Sequence, residues 1–320
     1  MALTVLRFSG QNSVPEWGVL FDDKVAPLKG NYTSTGDLIE RGIEEARKVR
    51  ASDATLLLNT LNLLAPITAN QQFLCQGLNY RCHVRDSGMD PEELPFNTLF
   101  TKSPASITAA HGYIVRPGHV SLLDYEVELG VVVGSRIDGP VTVSESNLPD
   151  YASAIVIVND ISARDVQLPQ GQFYKGKSYR GFGPVGPFLV IPTREEWRRL
   201  GELHLRLSVN GEVRQDCYAK DMIFSPAQTL TELSSMHNLE PGDLLATGTP
   251  AGCAAQAPKS KLTLWVLKAL MPEQMKWELY LKSQMTNPRY LKPGDEMVAS
   301  IATDDGLITL GEQRHQILQD

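Results

Sequence analysis

Within residues 123–130 the chain reads Leu-Asp-Tyr-Glu-Val-Glu-Leu-Gly, acid and apolar side chains in alternation. A period of two belongs to an extended strand, because successive side chains leave opposite faces of the pleat. Asp124, Glu126 and Glu128 therefore share one face, and Tyr125, Val127 and Leu129 share the other. A second segment, Ile155-Val-Ile-Val-Asn-Asp160, is a continuous apolar run that ends in a carboxylate. An acid-alternating strand alone is satisfied by the water-facing side of an antiparallel sheet. Asp160 argues for more, since a carboxylate ending so apolar a strand is costly to bury without a cationic partner. Hard oxygen ligands converging from two strands are what a Mg²⁺-like ion needs, so Glu126, Glu128 and Asp160 are the expected metal ligands.

The chain has 320 residues with 42% hydrophobic content, enough for a sizeable core divided into one small and one large unit. A formal net charge of −7 leaves no basic field for a phosphate backbone, and nucleic acid is not an expected partner. Cys75, Cys82, Cys217 and Cys253 show no Cys-x-x-Cys or zinc-like spacing, which fits free thiols in a reducing compartment. The N-terminus reaches Arg7 before a signal-length apolar stretch develops, and the apolar run from Ala54 to Pro66 is too short to span a bilayer. A cytoplasmic protein without membrane contact is expected.

Residues 1–30 read as short strands with a hairpin at Asp22-Asp23, and a helix is expected from Ser34 or Thr35 through Lys48. A second small helix is expected near Ala54 to Leu64. These would make a small N-terminal α+β domain over 1–66, followed by a mainly β domain over 67–320. In the latter, strands are expected at Leu129 to Val133, Ser153 to Val158, Phe188 to Ile191, His204 to Val209 and Leu244 to Thr247. Asn210-Gly211 is a two-residue hairpin signal. Ser225-Pro226 is a helix start, with Ser225 as N-cap and proline in the first turn.

Taken in order, Gly77-Leu-Asn-Tyr-Arg-Cys-His83, Asp124-Tyr-Glu-Val-Glu-Leu-Gly130, Asn159-Asp-Ile-Ser-Ala-Arg-Asp165, Lys177-Ser-Tyr and Thr247-Gly-Thr-Pro-Ala-Gly252 resemble the fumarylacetoacetate hydrolase superfamily. The likeness extends to Gly18-Val-Leu-Phe-Asp-Asp-Lys-Val-Ala, Gly183-Pro-Val-Gly-Pro187 and Leu291-Lys-Pro-Gly-Asp295. It implies an α+β, mainly β fold, a mixed β-roll or β-sandwich, in a homodimer that binds Mg²⁺ or Mn²⁺, with Ca²⁺ as a further candidate. It implies a small 2-oxo or 1,3-dicarbonyl acid as substrate, chelated through two oxygens. His83 would be the base, oriented by Asp86 three residues on; because aspartate is one methylene shorter than the family's glutamate, the alternatives are a looser dyad or a segment that closes only over substrate. Lys177 would stand beside the metal, Arg164 and Gln167 would stabilise developing negative charge, and Tyr80 and Thr249 would contact substrate. The plain alternatives are a surface histidine with an ordinary aspartate neighbour, solvated side chains, and a turn hydroxyl satisfying nearby backbone.

Two departures concern the substrate. Arg180 follows Lys177-Ser-Tyr where many relatives carry an acid, and it would either grip a substrate carboxylate or pair with an acid on a loop. Residues 258–289 form an insert rich in leucine, tryptophan and lysine, expected to pack on its own or a partner subunit ahead of forming a substrate-facing wall. The first functional expectation is hydrolysis of a C–C bond in a 3-acylpyruvate. The alternatives are decarboxylation, tautomerisation or isomerisation of an oxaloacetate-like acid at the same metal, and a non-catalytic homologue whose ion is structural.

Overall fold

The computed structural model describes residues 2–9, 14–255 and 272–320. Strands dominate, as expected. We label β1 Leu3–Ser9, β2 Pro15–Phe21, β3 Lys24–Pro27, β4 Phe73–Gly77, β5 Thr98–Thr101, β6 His111–Arg116, β7 Val127–Val133, β8 Ala152–Asn159, β9 Phe188–Ile191, β10 His204–Val209, β11 Glu212–Tyr218, β12 Leu244–Ala246, β13 Glu296–Ala302 and β14 Thr309–Gln319. The helices used below are α1 Arg81–Asp86, α2 Arg164–Gln170, α3 Phe173–Lys177, α4 Pro226–Ser234 and α5 Glu273–Gln284.

A large sheet runs β3-β2-β1-β9-β8-β7-β12-β4-β5, antiparallel except where β12 lies parallel to β4. A smaller sheet runs β11-β10-β13-β14-β6. Leu129, Val131 and Ile157 of the large sheet share one core with Leu205, Ile301 and Ile317 of the smaller one, a sheet-on-sheet packing. The opposite face of the large sheet, including Val132, Val156 and Val158, packs against the helical turns Leu38–Gly42 and Ile43–Lys48. With both faces covered, β7 and β8 read as continuous apolar runs.

The local signals act as written. Asp22 takes φ +53° in the β2–β3 turn, and Asn210 and Gly211 take φ +52° and +79° in the β10–β11 turn. Ser34 caps its helix by accepting from the Asp37 N–H, and Ser225 caps α4 in the same way from Gln228. The small helix expected near Ala54 to Leu64 is not formed. Leu56–Leu57 pairs with β3, Asn62–Leu64 pairs with β1, and only a 3₁₀ turn at Leu58–Thr60 separates them. Backbone pairing to two strands outweighs the helical character of that leucine-rich stretch. β1 in turn pairs with β9, so the first strands continue the large sheet.

Candidate metal and enolate site

The antiparallel register assembles the acids. Val127 faces Asn159 and Glu128 faces Val158, so the start of β7 meets the end of β8, and the Asp160 N–H donates to the Glu126 carbonyl at 2.8 Å. Residues 122 to 133 are buried throughout. The acids therefore do not form a water-facing edge. Glu126, Glu128 and Asp160 are 5%, 1% and 0% exposed, and each offers a carboxylate oxygen within 4.8 Å of the other two.

Buried cations hold two of the three. Lys177, at the end of α3, donates from Nζ to Glu126 Oε2 at 2.7 Å, Asp160 Oδ2 at 2.6 Å and Ser162 Oγ at 2.9 Å. Arg164, which opens α2, donates from Nη2 to Glu126, from Nε to Asp124 at 2.8 Å and from Nη1 to Gln167 Oε1 at 2.8 Å. Helices α2 and α3 approach closely because residue 176 is glycine; a Cβ there would lie 2.5 Å from Gln167 Cβ. Glu128 differs. Among the described residues it makes no ion pair, and its Oε2 accepts from the Gly248 N–H at 2.9 Å. Gly248 sits at φ +87°, a left-handed conformation suited to glycine, with Asn79 2.8 Å from where a Cβ would stand.

Ionisation follows these partners. Burial raises the Glu126 carboxyl, but Arg164 and then Lys177 draw it down to about 2. Burial also lowers the Lys177 ammonium, while Asp160 and Glu126 more than offset this and hold it above its ordinary value. Glu128 is pushed well up, first by burial and then by Asp160 and Glu126. An isolated buried carboxyl of this kind is stabilised as an anion by a cation in its place, and hard divalent ions favour carboxylate oxygens. The donor set of Glu126, Glu128 and Asp160 thus fits a divalent ion.

A cavity of about 260 Å³ opens onto Glu126, Glu128, Arg164 and Lys177. Its polar wall includes His83, Gln167, Lys177 and Thr249, and its apolar wall includes Leu78, Phe100, Leu168 and Phe173. Leu78 holds φ +55°, unusual for a branched residue and found here at the cavity edge. Two buried polar atoms in this wall have no hydrogen-bond partner among the described residues, His83 Nδ1 and Gln76 Oε1. Burial lowers the His83 pKa, so the imidazole is neutral at pH 7.

Several expectations change here. Asp86 is exposed and does not partner His83 Nδ1, so the expected dyad is not formed; the single turn of α1 directs the aspartate to solvent. Tyr80 is fully buried in the main core and does not line the cavity. Arg180 is exposed and likewise absent from the cavity wall. The Thr249 hydroxyl reaches the cavity but donates to the Val127 carbonyl at 3.0 Å and accepts from Gln215 Nε2 at 2.8 Å, the turn-hydroxyl alternative. Much of the insert, including Leu262, Leu264, Trp265, Leu267 and Leu270, lies outside the described residues. Its described part is α5, which places Tyr280 in the cavity wall and packs Leu281 on the main core.

Sequence reasoning missed two groups. Lys102 is 1% exposed and donates to Asp160 Oδ1 at 2.5 Å and to the Phe182 carbonyl at 2.7 Å. It stands two residues after Phe100, and the period of two was the available signal. Asp124 was placed on the acidic face without a role. It accepts from Arg164, from the N–H of Ala254 at 2.7 Å and from that of Ala255 at 3.0 Å, so it anchors the arginine and the loop after Thr249.

Residues 72–318 match the family described as fumarylacetoacetate hydrolase, C-terminal. The oxaloacetate tautomerase YisK of Bacillus subtilis is 39% identical over 198 residues, 61% of this chain and 64% of that relative, just under two thirds of its length. A crystal structure of a probable 2-hydroxyhepta-2,4-diene-1,7-dioate isomerase from Mycobacterium abscessus is 30% identical with a TM-score of 0.73, covering 100% of this chain and 99% of that one. The fumarylacetoacetate hydrolase of Exiguobacterium antarcticum is 29% identical with a TM-score of 0.74, covering 99% and 100%. With a family match over most of its length, and a fold that agrees along all of it, the chain belongs to the fumarylacetoacetate hydrolase family.

Proposed function

We propose that this chain is a divalent-metal-dependent enzyme that stabilises the enolate of a small 2-oxo acid, and that it tautomerises or isomerises an oxaloacetate-like acid in preference to hydrolysing a C–C bond. The observation that carries the order is His83, which faces the cavity as a neutral base with no carboxylate among the described residues hydrogen-bonded to its Nδ1. Moving a proton between carbon and oxygen asks for a base within reach of it, whereas hydrolysis asks in addition for a water positioned for attack, a task for which His83 lacks the expected Asp86 partner here. Glu126, Glu128 and Asp160 would hold Mg²⁺ or Mn²⁺, which when bound supplies Lewis-acid stabilisation of an enolate oxygen.

The chain's own residues supply the rest. Asp124, Glu126, Glu128 and Asp160, if all ionised, carry four negative charges against three positive ones from Lys102, Arg164 and Lys177, a balance of −1 that a divalent ion turns to +1. That sign suits an anionic acid. Gln76 Oε1 stands ready to accept from an enol hydroxyl, and the apolar wall excludes water from the exchanging proton. The similarity to an oxaloacetate tautomerase supports the same reading.

Hydrolysis of a 3-acylpyruvate is the second reading, favoured by the presence of His83 at the cavity and by the likeness to a fumarylacetoacetate hydrolase. Ultraviolet assays of enolic oxaloacetate and of acetylpyruvate, each with Mg²⁺ or Mn²⁺, separate them. Rapid loss of the oxaloacetate enol without acetylpyruvate cleavage is the expected result; release of acetate and pyruvate at a comparable rate reverses the order. Homodimerisation belongs to the proposal too. Tyr113 and Val115 on the edge strand β6 are exposed beside Leu318 of β14, an apolar row available to a second copy. Light scattering at the mass of two chains is the expected outcome. Among the described residues no helix is long and apolar enough to cross a membrane.

A further inference from the structure

Beside the carboxylate site the fold joins two cysteines that lie 135 residues apart in sequence. Cys82 on α1 and Cys217 on β11 stand Sγ to Sγ at 3.6 Å, both half-buried and both free. The Cys82 N–H donates to Asp221 Oδ2 at 2.9 Å, and the Ala251 N–H donates to Cys82 Sγ at 3.2 Å. Cys82 therefore ties the helix that carries His83, itself in the cavity wall, to two elements behind that wall. These are the strand whose Gln215 holds the cavity residue Thr249 and the Pro250 carbonyl, and the loop that follows Thr249.

The two thiols are not equivalent. A hydrogen bond from Cys82 is the first cause that lowers the Cys217 pKa, and the same bond raises Cys82. A sulfur that ionises more readily beside one held as the thiol is the arrangement of an attacking and a resolving sulfur. A thiophilic metal would also use two sulfurs and a carboxylate, but a closed structural site takes four protein ligands. Among the described residues only Cys82, Cys217 and Asp221 converge here, and Asp221 Oδ2 already accepts from backbone.

We propose that Cys82 and Cys217 form a reversible thiol–disulfide pair, oxidised by a hydroperoxide, that locks the His83-bearing helix onto β11. The Cys217 thiolate attacks the peroxide O–O bond, giving a sulfenic acid and hydroxide for the two electrons transferred. The Cys82 sulfur then attacks the Cys217 sulfur and the S–O bond breaks. Hydroxide leaves, takes the Cys82 proton and departs as water. Closure brings the sulfurs from 3.6 Å to about 2.05 Å. A dithiol reductant reverses the step by exchange.

The test treats the full chain with hydrogen peroxide, maps cross-linked peptides by mass spectrometry and follows amide hydrogen exchange over residues 81–86. A Cys82–Cys217 cross-link is expected, with buried Cys75 and Cys253 still reduced. Exchange in 81–86 should slow about threefold or more and return to its starting rate with dithiothreitol. Cys217→Ser and Cys82→Ser should each show neither change. Absence of the cross-link, or a cross-link that leaves exchange in 81–86 unaltered, overturns the proposal. Neither readout depends on the substrate, so failure of the enolate reading would not be confused with failure of this one.

Discussion

At the scale of single residues, the site is an exercise in charge compensation. Glu126 and Asp160 each have buried cations, and among the described residues Glu128 has a backbone N–H alone. Lys177→Met should leave Glu126 and Asp160 under-compensated and cost about 3–5 kcal/mol in denaturant unfolding, as when one partner of a buried pair is removed. Added Mg²⁺ should recover part of that loss, because the ion would compensate the same carboxylates. His83→Ala should lower enol–ketone exchange by roughly 10²–10⁴-fold without unfolding the chain. Since burial holds the imidazolium below its ordinary range, kcat/KM should be flat near neutrality and fall only as acid protonates His83, below about pH 6.5. An inflection above that value would assign the base elsewhere. The residue types were legible from motif and alternation, but the roles of Lys102 and Asp124 were not. Those depend on which side chains meet across strands, and no spacing within one strand contains that.

At the scale of elements, the site is where two strand ends and two short helices meet. The strands β7 to β12 and the Asn210-Gly211 and Ser225-Pro226 signals were readable because their chemistry is local. The Leu56–Leu64 region was misread because its conformation is decided by pairing with β1 and β3, which a local pattern does not show. Asp86 failed for a related reason. Three residues along a helix are neighbours, yet the α1 turn faces Asp86 to water, and helix length and exposure outweigh spacing. Gly176→Ala forces α2 and α3 apart at Gln167 and should cost about 1–3 kcal/mol, with a larger loss of activity because Lys177 adjoins it. Equal stability and activity to the parent would show that the close approach is unimportant. Tyr280 tests the insert. Tyr280→Ala should enlarge the cavity and raise KM while sparing kcat, and a change confined to kcat would place the ring among the reacting groups instead.

For the whole molecule, the two packed sheets and the helices over the large sheet form a support in which both faces of β7 and β8 are dry. That burial is why the carboxylates require cationic partners, because the same carboxylates on a wet edge would need none. Composition and the ordered motifs were enough to expect the sheet-rich fold and the metal ligands. They put hydrolysis ahead of tautomerisation, an order that motifs alone do not decide, since the two reactions share every ligand and differ in how one histidine is held. The most direct test is the decay of enolic oxaloacetate by EDTA-treated chain, before and after adding Mn²⁺, for the parent and for Glu128→Gln. The account predicts no activity after EDTA and full recovery with Mn²⁺. In the variant, recovery should require Mn²⁺ at roughly tenfold higher concentration or more, as one carboxylate ligand is neutralised. An undiminished rate in the EDTA-treated parent, or recovery of the variant at the same Mn²⁺ concentration, would contradict it.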